Sequence, residues 1–405
     1  MLIASLHMKY RPWIVAFCML GIAAGLLFWH LLGSSPTTST PVLTPPAVSR
    51  VPEANIPPIT NPFGTADALP QELTGNIFSK MIEEFSEPGG YFMYENYVSN
   101  ERSYQDPIPA LIKVAKPGGV YLGVGPEQNF TYIATIHPAM AFIIDIRRQN
   151  MLELLMYKAL FAMAANRAEF VSLLFSRKPS TRLDLSSTAE DLFRIFAAAH
   201  PDQNLFESNL RRIKAQLHLT PEDEKTVENV YRVFFSIGPD LSYSSMNSYA
   251  PSGPSYSSLM TLTDAAGRNW SYLASEENFR FLKEMQRRNL IVPLVGDFAG
   301  LKAIRGVARY LKDHHATVTA FYLSNVEMYI LASPQWKSFC ANVAALPVDD
   351  SSVFIRFLLG PYARAAFHNG FAPRNMSVIS PMIDVLTGVV KGYPPSYYDL
   401  IHASK

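Results

Sequence analysis

The sequence predicts a doubly wound α/β domain with a large helical insertion, preceded by a single transmembrane helix. Three observations carry this prediction. A strand, a glycine turn, a helix and a second strand follow one another over residues 117–147, two further apolar strands flank an amphipathic helix over residues 289–327, and an uncharged apolar run occupies residues 13–32. The chain has 405 residues, 48% of them hydrophobic, which is enough for a large core.

Charge and cysteine content exclude several classes of protein. The 35 basic side chains nearly cancel the 34 acidic ones, so the chain lacks the positive field of a nucleic-acid-binding protein. Cys18 and Cys340 are the two cysteines, in very different sequence contexts, which excludes a disulfide framework and a cysteine-based zinc site. We interpret His137, His314 and His315 as capping or surface residues, and predict no metal site.

Residues 13–32 are long enough to span a bilayer as one helix. Lys9 and Arg11 precede this run, and no charge follows it until Arg50. The positive-inside rule therefore predicts a cytoplasmic N-terminal tail over residues 1–12 and a main domain outside the cytoplasm. A cleaved signal peptide is the alternative, although the run is longer than a typical signal and no small-residue cleavage site follows it.

Two further features accompany the predicted membrane helix. Gly21 and Gly25 have the small-xxx-small spacing that lets two helices approach closely, which suggests a homodimer through this face. Residues 33–70 contain nine prolines and almost no charge, so we predict an extended linker there. The α/β domain is then expected over residues 71–405.

The most informative stretch reads as one βαβ unit. We predict a buried strand over residues 120–124, a helix over 128–136 and an apolar strand over 140–146. Gly123 and Gly125 allow the backbone to turn tightly and approach a ligand closely, and Asp145 ends the second strand, where an acid accepts bonds from ribose hydroxyls. Alternatively, the glycines merely form a turn and the acid caps the next helix.

A second group of elements supports a ligand site. We predict strands ending at Gly296-Asp297 and before Ser324-Asn325, joined by a helix over residues 301–312, and a fifth strand over 351–359 after a helix over 334–345. Ligands of such sheets bind outside the carboxyl ends of the strands. Gly123, Asp145, Asp297 and Asn325 are therefore expected to face one cleft.

With these motifs, the sequence resembles the class I S-adenosylmethionine-dependent methyltransferases, and more closely a group of bacterial proteins with a methyltransferase-like core. The resemblance covers roughly residues 73–360. It is carried by YLGVGPEQN from Tyr121, FIIDIR from Phe142, LVGDF from Leu294 and FYLSNVE from Phe321.

The resemblance implies a Rossmann-like, methyltransferase-type sheet with S-adenosylmethionine as cofactor. It places Gly123 and Gly125 under the methionine part, Asp145 at the ribose, and Asp297 with Phe298 at the adenine. The family's glycine loop usually begins with an acidic residue and carries a third glycine, whereas this chain has Tyr121 and Glu127 at those positions. Glu127, at the start of the helix, is counted with the cofactor-binding residues.

Two other segments supply candidate substrate or lid residues. The segment before the first strand is rich in aromatic and hydrogen-bonding side chains, and contributes Asn96, Ser99, Asn100 and Glu101; a packed turn with solvated polar groups is the alternative. The insertion over about 150–288 reads as mostly helical, with a long Ser/Tyr/Gly/Pro loop over 242–258 from which Tyr256, and nearby Asp264, are expected to reach the cleft. A spacer fits that composition equally well.

These features predict a membrane-anchored, S-adenosylmethionine-binding methyltransferase-like protein with a small-molecule ligand, an unidentified acceptor and no nucleic-acid partner. The alternative is a non-catalytic, Rossmann-like binding domain on the cell envelope that has lost methyltransferase activity. A nicotinamide-dependent oxidoreductase is disfavoured because the glycine turn lacks that fingerprint's third glycine. No nucleophile motif occurs, and methyl transfer needs little beyond alignment of the reacting groups.

Overall fold

The computed structural model describes Phe63 and residues 68–179, 181, 183–243, 253–366, 375–392 and 395–402. The predicted transmembrane helix over residues 13–32, with Gly21 and Gly25, and nearly all of the predicted linker lie outside these residues. None of the helices described is both long enough and apolar enough to cross a membrane.

The described strands form one six-stranded sheet in the order β3-β2-β1-β4-β5-β6. The pairs from β3 across to β5 are parallel, and β6 is antiparallel to β5. The predicted α/β class is therefore confirmed as a mixed α/β fold with a mostly parallel sheet. The strands are β1 Val120–Gly123, β2 Met140–Asp145, β3 Ile291–Val295, β4 Val318–Ser324, β5 Val353–Leu359 and β6 Asn375–Pro381.

Burial explains the sequence pattern of these strands. Every residue of β1, β2 and β3 is buried, so these strands read as continuous apolar runs rather than alternating ones. Pro293 interrupts β3 without breaking the sheet, because β3 lies at the edge and pairs with β2 alone among the described strands. The half-exposed strand β6 was not predicted from the sequence.

Helices pack in two groups around the sheet. Helix α4 contacts β2 and β3 and packs with α5, α7, α8 and α10, whereas α11 contacts β2 and packs with α1 and α13. The helices up to β3 are α1 Gly75–Phe85, α2 Ile108–Val114, α3 Gln128–Ile136, α4 Arg148–Met163, α5 Arg167–Phe175, α6 Ala189–Ala198, α7 Gln203–Leu217, α8 Pro221–Ile237, α9 Tyr256–Thr261 and α10 Glu276–Arg287. After β3 come α11 Ala303–Asp313, α12 Glu327–Ile330, α13 Gln335–Ala345, α14 Pro361–Ala366, α15 Ile383–Val390 and α16 Tyr397–His402.

The chain between β2 and β3 is helical over α4 to α10, and its aromatic side chains belong to the same core as Phe130 of α3. The Phe161 ring lies 4.6 Å from that of Phe170 and 5.4 Å from that of Phe279. The predicted loop over residues 242–258 is shorter than expected, because α9 begins at Tyr256. Ser255 caps this helix by accepting a hydrogen bond from the backbone N of Ser258.

Packing of the domain begins before the predicted boundary at residue 71. Phe63 makes edge-to-face contacts with Phe85 and Tyr310, at centroid distances of 5.4 and 6.0 Å. The end of the predicted linker therefore contributes an aromatic side chain to the packing around α1 and α11.

Candidate ligand-binding site

A cavity of about 340 Å³ opens at the carboxyl ends of β1 to β4. Its walls come mainly from the ends of these strands and the residues that follow them, and from the segment that precedes β1, with further residues from the insertion and from the helices after β4. From β1 the strand order continues through β2 and β3 on one side, and from β4 it continues through β5 and β6 on the other. The position between β1 and β4 is therefore a topological switch point, where ligands of α/β sheets bind. The volume suits a small organic molecule.

Most of the residues predicted for the site line this one cavity. The predicted residues that do so are Gly125, Asp145, Asp297, Phe298, Asn96, Ser99, Asn100, Glu101 and Asn325. The structure thus brings the ends of four strands and the approach segment together.

A single asparagine holds the glycine turn after β1. The Nδ2 of Asn129 donates to the carbonyl oxygens of Val124, Gly125 and Pro126 at 2.9, 3.1 and 2.8 Å, and its Oδ1 accepts from the Tyr121 hydroxyl at 2.8 Å. Gly125 has a φ of +80°, a conformation that favours glycine. Asn129 was not predicted, although its place in the first turn of α3, just after the glycine turn, suits this role.

Gly123 serves this asparagine rather than a ligand. A Cβ at position 123 would overlap the Oδ1 of Asn129, and Gly123 is not among the described residues that line the cavity. The absence of a side chain therefore makes room for the group that fixes the turn. Gly125, by contrast, lines the cavity.

Asp145, the acid at the end of β2, forms an ion pair with Arg147, two residues further along the chain. The backbone N and Nε of Arg147 donate to Asp145 Oδ1 at 2.9 and 3.1 Å, and its Nη2 donates to Oδ2 at 3.0 Å. Arg147 also donates to the carbonyl oxygen of Glu95, and Asn150 Nδ2 donates to that of Gly125 at 3.1 Å. The pair thereby links the approach segment to the end of β2.

Two buried glutamates lie beside the glycine turn. Burial raises the pKa of Glu101 to about 7 and that of Glu127 to about 8. Glu101 Oε1 accepts hydrogen bonds from the hydroxyls of Tyr322, at 2.6 Å, and Ser324, at the end of β4. Its Oε2 atom has no hydrogen-bond partner in the described part of the chain.

Glu127 is fully buried and does not belong to the described cavity lining, so its predicted place among the cofactor contacts is not what the structure shows. Its Oε1 accepts from the backbone N of Ser99 at 3.2 Å, across 28 residues of sequence. Glu127 therefore fixes the approach segment against the start of α3.

Three residues that line the cavity each carry a buried oxygen without a donor. Asn96 Oδ1, Glu101 Oε2 and Gln128 Oε1 are buried atoms of residues that line the cavity, and none has a hydrogen-bond partner among the described residues. A buried acceptor without a donor is costly unless a ligand or water supplies one. The raised pKa of Glu101 fits a carboxyl group that keeps its proton when buried in this way.

The charges around the cavity favour a cation or a neutral donor over an anion. Three acidic residues line it, namely Glu101, Asp145 and Asp297, and Arg147 is the one basic residue of the lining that the structure describes. Arg147 is committed to Asp145. A phosphate group would find no unpaired positive side chain in this lining.

The loop after β3 is shaped by a residue from the N-terminal part of the domain. Glu87 Oε2 accepts from the backbone N of Asp297 at 3.1 Å, and its Oε1 accepts from those of Lys302 and Ala303 at 2.8 and 2.9 Å. Asn342 Nδ2 donates to the carbonyl oxygen of Phe298 at 2.8 Å. Neither Glu87 nor Asn342 was predicted, because both act from elements distant in sequence.

Tyr256 and Asp264 do not belong to the described lining of the cavity, so the structure does not bring them to the predicted cleft. Tyr256 is fully buried and its hydroxyl bonds to that of Tyr272. Asp264 Oδ2 accepts from Trp270 Nε1 at 2.7 Å, and its Oδ1 accepts from the backbone N atoms of Ala266 and Arg268. Both side chains organise the insertion itself.

Residues 96–236 and 242–372 match the family described as a domain of unknown function (DUF7790), and the chain belongs to that family. No curated protein matches the sequence. In the described part of the chain, no three His, Cys, Asp or Glu side chains are grouped so that they could hold a metal ion.

Proposed function

We propose that this member of the DUF7790 family binds S-adenosylmethionine in the cavity at the ends of β1 to β4, as a membrane-anchored methyltransferase-like protein. The observation that carries the proposal is a cavity at the ends of β1 to β4 whose described lining has three acidic residues and no unpaired basic side chain. S-adenosylmethionine carries a sulfonium, an ammonium group, ribose hydroxyls, an adenine amino group and one carboxylate. Its two positive groups and its N–H and O–H donors suit this acidic lining.

Strand order supports the proposal at the level of the fold. The order β3-β2-β1-β4-β5 is that of doubly wound, Rossmann-like sheets, whose ligands lie at the switch point between β1 and β4. The two helix groups led by α4 and α11 fit helices on both faces of such a sheet. A methyltransferase-type sheet is thus the finer assignment that we propose.

We assign a residue of the cavity to each of three parts of the cofactor. Gly125 provides the close approach at the methionine part, and Asp297 supplies an acceptor for the adenine amino group. We assign Glu101 the role of the acid that the glycine loop lacks, because it lines the cavity and its carboxyl is held at the end of β4 by Tyr322 and Ser324. These residues bind and orient the cofactor, which when bound supplies the transferable methyl group.

A dinucleotide fits the cavity less well. Its pyrophosphate binds at a helix N-terminus, with help from positive side chains. Here the helix after the glycine turn begins at the buried carboxyl of Glu127, and the one basic side chain of the described lining is paired with Asp145. This arrangement disfavours the oxidoreductase interpretation.

The second candidate is a non-catalytic binding domain on the cell envelope. The pairing of Asp145 with Arg147 favours it, because the acid expected at the ribose already accepts three hydrogen bonds. The predicted orientation of the chain also favours this candidate, since the cofactor is made in the cytoplasm and a domain outside it would lack its methyl donor.

We also propose the membrane helix over residues 13–32, the extracytoplasmic main domain and the homodimer through Gly21 and Gly25, whichever of the two functions applies. Protease accessibility of the main domain in sealed vesicles, and crosslinking with Gly21 and Gly25 replaced by leucine, test them.

Calorimetric titration of the detergent-solubilised full chain with S-adenosylmethionine tests the main proposal. We expect saturable binding that Glu101→Gln weakens about tenfold or more, because a hydrogen bond to a charged group is lost. Asp191→Asn is the control, since that exposed acid lies on α6 and does not line the cavity. A folded chain that gives no binding contradicts the proposal, and binding without methyl transfer to any offered acceptor favours the second candidate.

A further inference from the structure

Four aromatic rings from distant parts of the chain meet at the cavity. We call Phe92, Tyr94, Tyr243 and Tyr329 the aromatic wall. The ring of Phe92 lies 5.5 Å from Tyr94 and 5.3 Å from Tyr329, both edge to face, and Tyr94 lies 5.6 Å from Tyr243. Phe92, Tyr243 and Tyr329 line the cavity directly.

The aromatic wall is not a closed hydrophobic core. Tyr329 is 52% exposed, and neighbouring Tyr91, which also lines the cavity, is 80% exposed. Large apolar side chains held partly open to solvent beside a cavity commonly mark a binding surface. Because edge-to-face neighbours stand nearly perpendicular, the ring faces of the wall point in different directions and can surround a small group.

The wall and the proposed cofactor contact Glu101 share the approach segment and the end of β4, where Tyr322 and Ser324 donate to Glu101. Tyr329 belongs to α12, which follows Asn325 at the end of β4, and Phe92 comes from the approach segment. Gly125 and Asp297, by contrast, follow β1 and β3. The wall therefore borders the part of the cavity where an acceptor can meet the methionine end of the cofactor.

We propose that the aromatic wall binds the nitrogen of an amine and that the methyl acceptor of this protein is an amine, an inference that rests on the proposed cofactor site. Aromatic ring faces attract cations, most strongly ammonium groups that carry methyl substituents. The carboxylate of Asp297, together with that of Glu101 when it is ionised, adds negative potential that favours a cationic acceptor over an anionic one.

The chemistry of this step balances without a further reactant. An amine that binds as its ammonium first gives one proton to water; its nitrogen lone pair then attacks the methyl carbon, a C–N bond forms, and the C–S bond breaks with its electron pair passing to sulfur. Positive charge moves from the sulfonium to the nitrogen, where the ring faces of the wall stabilise it. A tertiary amine becomes a quaternary ammonium product, and a primary or secondary amine then releases one proton to water.

Two probes of equal shape and different charge test this inference. Choline and 3,3-dimethylbutan-1-ol differ at one atom, nitrogen or carbon. We would titrate each into the full chain in detergent, with and without saturating S-adenosylhomocysteine. We expect choline to bind about tenfold more tightly than the neutral alcohol, and Tyr329→Ala to remove most of that preference. Tyr329→Phe should keep it, because the ring face is retained.

The variants also separate this inference from the cofactor proposal. Tyr329→Ala should leave the affinity for S-adenosylhomocysteine unchanged, and Tyr398→Ala, an exposed tyrosine outside the described cavity lining, should change neither affinity. Equal binding of the two probes overturns the inference while leaving the cofactor proposal intact. If Tyr329→Ala lowers the affinity for S-adenosylhomocysteine as much as it lowers the affinity for choline, the inference is also overturned, because the wall is then part of the cofactor site. Choline selectivity in a chain that binds neither S-adenosylmethionine nor S-adenosylhomocysteine overturns the cofactor proposal and, with it, the acceptor assignment.

Discussion

Arg147 donates three hydrogen bonds to the carboxylate of Asp145, from its backbone N, Nε and Nη2, at 2.9, 3.1 and 3.0 Å. The Asp145 side chain is 6% exposed and that of Arg147 is 8% exposed. The acid at the end of β2 is therefore held in one orientation by a charge two residues away. Any ligand that reaches it meets an ion pair rather than an isolated carboxylate.

We expect Asp145→Asn to lower the free energy of unfolding by about 3 kcal/mol, because removing one member of a buried ion pair leaves the other charge uncompensated. Urea unfolding of the full chain in detergent measures this change. Asp191→Asn removes one member of an exposed pair on α6 and should change stability little. A loss in Asp145→Asn no larger than in this control would show that the pair contributes nothing to folding.

A second prediction concerns the glycine turn. Asn129→Ala leaves three carbonyl oxygens and the Tyr121 hydroxyl without their partner, so we expect a loss of at least about 2 kcal/mol in unfolding free energy. Gly123→Ala should cost a similar amount, because its Cβ displaces the Asn129 side chain.

The double variant Gly123→Ala/Asn129→Ala provides the sharper measurement. Removing the Asn129 side chain removes the closest clash of the added methyl group at position 123 and leaves the Tyr121 ring, at 2.8 Å, to shift, so the double variant should lose less than the sum of the two single losses. Gly75→Ala, at a site where nothing lies within 4 Å of the added Cβ, controls for the substitution itself. Additive losses would mean that Gly123 and Asn129 act independently.

A third prediction concerns pH. Burial raises the pKa of Glu101 from 4.5 to about 7, and that of Glu127 to about 8, so the folded chain binds these protons more tightly than the unfolded chain. This contribution to stability is complete below about pH 4.5 and is lost as the pH rises through 7 and 8. We expect the free energy of unfolding to fall between pH 5 and pH 8 for this reason, with Glu101→Gln removing the part of the slope up to about pH 7.

The affinity for S-adenosylmethionine should change with pH in the opposite direction to the free energy of unfolding. A cation pairs with the ionised form of Glu101, so the affinity for S-adenosylmethionine should rise from pH 6 to pH 8, and Glu101→Gln should abolish most of that rise. Titrations at pH 6, 7 and 8 measure both. A pH profile of binding that is the same in Glu101→Gln as in the unaltered chain would remove Glu101 from the binding site.

The sequence predicted elements whose signal is local. Strands β1 to β5 are apolar runs bounded by turn residues, and Asp145, Asp297 and Asn325 follow from the rule that strand ends share one edge. Strand β6 was not predicted from the sequence because its burial is irregular and it forms by pairing with β5. Its residues carry little pattern of their own.

Residues that act across long sequence separations were also missed. Glu87 organises the loop after β3 from about 210 residues away, and Asn129 acts through three carbonyl oxygens that no side-chain pattern reveals. Tyr256 was misplaced for a related reason: a Ser- and Tyr-rich composition predicts a loop, yet α9 buries this tyrosine against Tyr272. The amino-acid composition of residues 242–258 predicts a loop but does not indicate which side chains pack against it.

The last prediction concerns the ion pair beneath the end of β4. Arg356 Nε and Nη2 donate to Glu327 Oε2 and Oε1 at 2.6 and 3.0 Å, and both side chains are at most 1% exposed. Glu327 begins α12, directly after the cavity-lining residues Ser324 to Val326. The pair therefore holds the start of α12, next to the turn from which Asn325 lines the cavity.

We expect Glu327→Gln to lower the free energy of unfolding by about 3 kcal/mol, since the guanidinium of Arg356 then remains buried beside a neutral group. Glu327→Leu/Arg356→Met should recover most of this loss, because no charge stays buried, yet it should still weaken ligand binding if the pair positions the β4 turn. Urea unfolding and calorimetric titration of each variant measure the two effects separately, with Lys116→Ala, from a surface pair, as the control. Stability and affinity both restored in the double variant would assign the pair to folding alone.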